Sequence, residues 1–96
     1  MAQINIYEDC SSEKPTKTYT CHRILTKHVN QFVKLVEEMD GKSYADQIAE
    51  ITKIVRTVFP QMTDDEVECI DVAELKPFFS DIVNLAQGKL KQAQKN

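Results

Sequence analysis

A chain of 96 residues makes one domain, and a domain of that length buries roughly two thirds of its unfolded-state surface, enough for one modest core without metal or disulfide. With 42% hydrophobic and 28% charged residues it has the balance of an ordinary globular chain, and only 2 Gly and 3 Pro argue against a turn-rich β-sandwich and for helices. A net charge of −3 without a basic face excludes the electrostatic footprint of a nucleic-acid module.

The first twenty residues alternate. "INIY" places Ile4 and Ile6 on one face, and "KTYTC" sets Thr18 and Thr20 opposite Tyr19 and Cys21, which predicts two short strands. "EDCSSEKP" between them supplies turn and breaker residues. The pair reads as a β-hairpin that must lie on helices, because a lone hairpin is marginal in water.

From Leu25 the period becomes helical. Leu25, Val29, Phe32, Val33, Val36 and Met39 fall within an arc of about 120°, with Thr26 or the preceding segment as the start and Gly41 as a left-handed stop. A second helix is expected from about Ser43 to Phe59. Tyr44, Ile48, Ile51, Val55, Val58 and Phe59 share its inner face. Ser43 is a natural N-cap, and Pro60 forces the end because the residue before a proline resists helical geometry.

Two acidic helix starts follow in quick succession, Thr63-x-x-Glu66 and Asp71-x-x-Glu74. In the first, the threonine hydroxyl and the Glu66 carboxylate each accept a backbone N–H, a capping box, and Asp64 and Asp65 favour the positive end of the helix dipole. The second repeats the logic and opens the last helix. There Val72, Leu75, Phe78, Phe79, Ile82, Val83, Leu85, Ala86 and Leu90 spread over an arc of about 160°. Pro77 is either a kink or the first position of a restart. An arc that wide implies a helix central in its own domain, or one that offers part of its face to another chain. The fold class is therefore mainly α, three to four helices with a short N-terminal β-hairpin packed on them. Residues 1–88 form the domain and 89–96 a polar, frayed tail.

Little in the chain suggests chemistry. Cys10, Cys21, His22 and His28 lie close in sequence but match no zinc spacing. Cys69 and Cys21 lack an orienting third group for nucleophilic work. Two glycines cannot build a phosphate loop, and "TDDEVECIDVAE" lacks the glycine and oxygen spacing of a calcium loop. The acid pairs Asp64/Asp65 and Glu37/Glu38 sit at helix termini. A helix-turn-helix reading of Ile48–Cys69 would aim Asp64, Asp65, Glu66 and Glu68 at phosphate and fails on repulsion. The expectation is no enzyme, no cofactor and no metal. The odd cysteine count and the lack of a membrane-length apolar run or secretion signal fit a reduced, cytoplasmic setting.

Charge is ordered along the chain. Residues 1–36 carry five bases and three acids, residues 37–74 eleven acids and three bases, and residues 75–96 four bases and one acid. That order permits head-to-tail association of copies.

The segments "LTKHVNQFVKLVEEM", "IVRTVFPQMTDDEVE" and "DVAELKPFFSDIVNLAQG", covering about residues 18–88, resemble the tail assembly chaperones of long-tailed bacteriophages and prophages of Gram-positive bacteria. The shared pattern runs through Phe59, Thr63, Asp64–Glu66, Val67, Asp71 and Leu75 into the apolar helix beyond. The resemblance implies a non-catalytic cytoplasmic helper of virion morphogenesis that binds the tape-measure protein and keeps it soluble. Such a helper leaves as tail tube subunits assemble and is absent from the mature virion. With the charge order above, the expected partners also include further copies of the chain in a ring or spiral and the tail tube protein, and neither nucleic acid nor membrane. Phe78, Phe79, Ile82 and Leu85 are the candidate residues for partner or self contact. The competing reading is a small cytosolic helical adaptor or regulator of another protein, with a DNA-binding regulator behind it.

Overall fold

Alternation of small apolar and polar residues makes β1 (Ala2–Ile6), and the computed structural model, which describes residues 1–88, pairs it antiparallel with β2 (Lys17–Cys21). The register sets Ala2 against Cys21 and Ile4 against Tyr19, so the inner face of the ribbon is Ala2, Ile4, Ile6, Tyr19 and Cys21, all buried. Thr18 and Thr20 take the outer face, as the alternation predicts. On its other side β1 meets the chain again: Ile6 bridges Ile70, and the Tyr7 N–H donates to the Cys69 carbonyl at 3.0 Å. The first strand is thus held between β2 and the connection that precedes the last helix.

Four helices follow: α1 (Thr26–Met39), α2 (Tyr44–Val58), α3 (Asp64–Glu68) and α4 (Val72–Ala86). With the two-stranded sheet packed on them they give the mainly helical fold expected. The fourth is the hub. It packs on β1, α1 and α2, and its Leu75, Phe78 and Ile82 are buried against Phe32 of α1 and Ile51, Ile54 and Val55 of α2 in one cluster. A chain of rings crosses this core, Tyr19 to Phe59 at 5.3 Å and Phe59 to Phe78 at 5.9 Å between centroids, spacings at which tilted aromatic pairs attract.

The α2 boundaries follow the local chemistry. The Ser43 hydroxyl accepts the Asp46 N–H at 3.2 Å, and the helix gives way at Phe59 before Pro60. Ser43→Ala is expected to cost about 1 kcal/mol, read as a fall in thermal midpoint of a few degrees. Tyr44 departs from the expected inner face. It stands exposed, its ring 5.4 Å from the Lys76 ammonium, and Ile54 fills the core position instead.

Two further expectations are corrected, and the choice left open at Pro77 is decided. α1 turns Phe32, Leu35 and Met39 to the core, while Leu25 precedes the helix as an uncapped N-cap residue and Val33 is exposed. The face is rotated by about a quarter turn from the periodic stripe, because α1 packs chiefly against α4 and only one edge of its stripe reaches that neighbour. Gly41 does not adopt a left-handed conformation: α1 ends in a right-handed residue, Asp40, and the turn closes through Lys42 N–H to Met39 carbonyl at 3.1 Å. The left-handed glycine is Gly88, with φ +74°, where its N–H donates to the Leu85 carbonyl and closes α4. Finally, α4 runs unbroken through Pro77, so there is no restart. The ring removes one N–H and leaves the carbonyl of exposed Ala73 to water. Leu90 and the tail 89–96 lie outside the described residues.

Candidate functional site

The acidic starts do more than cap. Thr63 Oγ1 accepts the Glu66 N–H at 3.1 Å and Glu66 Oε1 accepts the Thr63 N–H at 2.9 Å, the box the motif predicts. The same Glu66 carboxylate also takes the Tyr19 hydroxyl at 2.8 Å and lies 3.4 Å from the Lys17 ammonium. It therefore ties β2 to α3. The Thr63 backbone N–H first, then the Tyr19 hydroxyl and Lys17, pull its acid equilibrium down from 4.5 to about 2.

Asp71 caps α4 by accepting the Ala73 N–H at 2.9 Å, but Glu74 does not close a second box. It turns to β1, accepting the Asn5 N–H at 3.3 Å, the Asn5 amide at 3.1 Å and the Tyr7 hydroxyl at 2.9 Å. That bond to a carboxylate raises the Tyr7 phenol. Both carboxylates are thus employed in joining sheet to helices.

The four residues expected at an interface divide. Phe78 (1% exposed) and Ile82 (0%) are core residues of the single chain and leave the candidate surface; the reason is the hub position of α4, which uses most of its wide arc internally. Phe79 and Leu85 are half-buried against that core. None of the four lines either of the two clefts described below.

Among the described residues, an apolar surface left open lies one helix over. Phe32, Val33 and Val36 of α1 face Val83 and Ala86 of α4 across an open groove of about 150 Å³, with Glu37 and Gln87 completing its lining. Leu25 (52% exposed) and Val33 (38%) are solvent-facing, and Val29 and Val36 are half-exposed without joining the core. The stripe Leu25, Val29, Val33, Val36 was visible in the sequence as the periodic face of α1. What the periodicity could not give was how far round α1 its own fold would reach.

A second cleft of about 540 Å³ opens between the β1–β2 loop and the α3–α4 connection, lined by Tyr7, Ile70 and Val72 with Asp9, Glu13, Glu68 and Asp71. Cys10 and Cys69 also line it. The Asp9 carboxyl is held below its usual range by the Ser11 hydroxyl and amide and the Ser12 hydroxyl, bonds that shape the loop itself. All three cysteines are free thiols. Cys21 is buried, donates to the Arg23 carbonyl at 3.2 Å, and has its thiol pushed up by burial, the condition of an inert apolar filler. Among the described residues no three His, Cys, Asp or Glu side chains gather as a metal-holding group, and no helix is long and apolar enough to cross a membrane.

No known family, curated protein or solved structure matches this chain.

Proposed function

We propose that the chain is a non-catalytic tail assembly chaperone that binds the helical tape-measure protein of a long-tailed phage or prophage and keeps it soluble. The observation that carries this reading is the open apolar groove between α1 and α4, continued by exposed Leu25 and Val33. The motif resemblance through Thr63, Glu66, Asp71 and Leu75 supports it. A long helical client bare of its partners aggregates through its apolar stripes. A groove between two helices, apolar on its floor and polar beyond, accepts such a stripe in the helix-in-groove manner. Binding of that kind needs no acid, base or cofactor. The groove on α1 replaces the face of Phe78 and Ile82 as the docking surface.

Co-expression tests it. A candidate tape-measure protein is expected in the soluble fraction with the wild type and in the pellet with Val33→Asp, which places a carboxylate in the groove without touching the core. A soluble fraction that is the same with wild type, Val33→Asp and empty vector sinks the reading.

A further inference from the structure

We infer that in the free chain the groove between α1 and α4 is occupied by the chain's own residues 89–96, folded back at Gly88 so that the Leu90 side chain fills it. That groove is the one assigned above to a client, but its occupancy in the free chain needs no client.

The groove and the exit of the chain from the fold are one place. Val83, Ala86 and Gln87 form one wall, and Gln87 is the residue just before Gly88. Gly88 is left-handed, with φ +74°, and its N–H returns to the Leu85 carbonyl at 3.0 Å. A glycine that ends a helix in this way turns the following chain back on the last turn, and an apolar contact commonly accompanies the turn. Leu90 is three residues from Gln87, a span of at most about 10 Å. It therefore begins within reach of a groove that Gln87 itself lines.

The chemistry of the segment fits that place. In "KLKQAQKN" Leu90 is the one large apolar residue, and it stands between Lys89 and Lys91. The groove sets Phe32, Val33 and Val36 opposite Val83 and Ala86 around about 150 Å³ of space. A cavity of that size accommodates a group as large as benzene, and so a leucine side chain. Glu37 completes the lining from the last turn of α1, where no base offsets the negative end of the helix dipole. Among the described residues Glu37 is in no ion pair. The lysines on either side of a docked Leu90 supply both the partner and the missing base. The short tether favours docking too, since it orders little chain and makes the contact intramolecular. A client that brings several apolar residues on one helical face displaces a single leucine, so the segment guards the groove without sealing it.

The test is methyl NMR on the full chain without a client. Nuclear Overhauser contacts are expected between the Leu90 methyls and those of Val33, Val36 and Val83, persisting on dilution. Leu90→Asp should abolish them and shift the Val36 and Val83 methyl resonances, while those of Ile51 and Ile54 in the core stay in place. Leu90→Met, which keeps an apolar side chain, should leave the groove resonances close to the wild type. A wild type with no contact between Leu90 and the groove overturns the inference. So do contacts that fade with dilution, which give the segment to a neighbouring copy, and groove resonances indifferent to Leu90→Asp. Client solubility is scored separately by co-expression, so either reading can fail alone.

Discussion

Phe78→Ala is expected to remove about 3–5 kcal/mol of stability, read as a lowered midpoint in urea unfolding, and to leave the domain at or near its unfolding threshold. Phe78 is 1% exposed, meets the Phe59 ring in a tilted pair at 5.9 Å between centroids, and sits on the helix that touches β1, α1 and α2. Deleting its ring opens a void that three elements would have to collapse to fill, and helices already docked on a shared hub cannot all move inward. Phe79→Ala, one residue on and half-buried, is the control, with a loss expected below about 2 kcal/mol. If Phe78→Ala unfolds like the wild type and only partner binding weakens, the ring belongs to a docking face and its place in the core is wrong.

The second large effect is at Glu66, and it depends on pH. Its carboxyl titrates at about 2 in the folded chain against 4.5 ordinarily, so the bonds from Thr63, Tyr19 and Lys17 stabilise the fold while the group is ionised. The contribution is fully present above about pH 4.5 and is lost as pH falls through about 2. Glu66→Gln should therefore melt below the wild type at neutral pH, and the gap should narrow between pH 4.5 and 2 until the two coincide. A gap that holds constant down to pH 2 contradicts the assignment. Asp9 is also depressed, but its ties are confined to its own loop, and it is present in both proteins, so it cancels in the difference. Tyr19→Phe removes the cross-element donor alone and is expected to cost about 1–3 kcal/mol, since a hydrogen bond to an ionised group is lost.

These two sites mark what a sequence can and cannot disclose. The helix starts at Ser43 and Thr63 and the stop at Pro60 are written within four residues of where they act, and each forms as read. The strand pair is equally local, its faces set by a period of two. Glu66 bonding Tyr19, 47 residues away, and Glu74 bonding Asn5 and Tyr7, 69 and 67 away, carry no local mark; a carboxylate three residues into a helix looks the same whether it caps or reaches across. Gly41 and Gly88 show the same limit, since either could end a helix left-handed and the packing beyond decides which one does. The candidate surface was half legible. The apolar stripe of α1 is plain in the spacing, but which stripe remains uncovered depends on where α4 docks, and α4, the most apolar helix, drew attention to itself because it is the hub.

The position of β1 has a bearing on the order in which the domain can assemble. Ala2, Ile4 and Ile6 have as neighbours on one side Ile70 and the helix beginning at Val72, far along the chain. Such a pairing closes a long loop before its contacts reward it. Without α4 the ribbon and the inner faces of α1 and α2 have no common floor, so a fragment cut before about Ile82 has nothing to condense upon and should not fold.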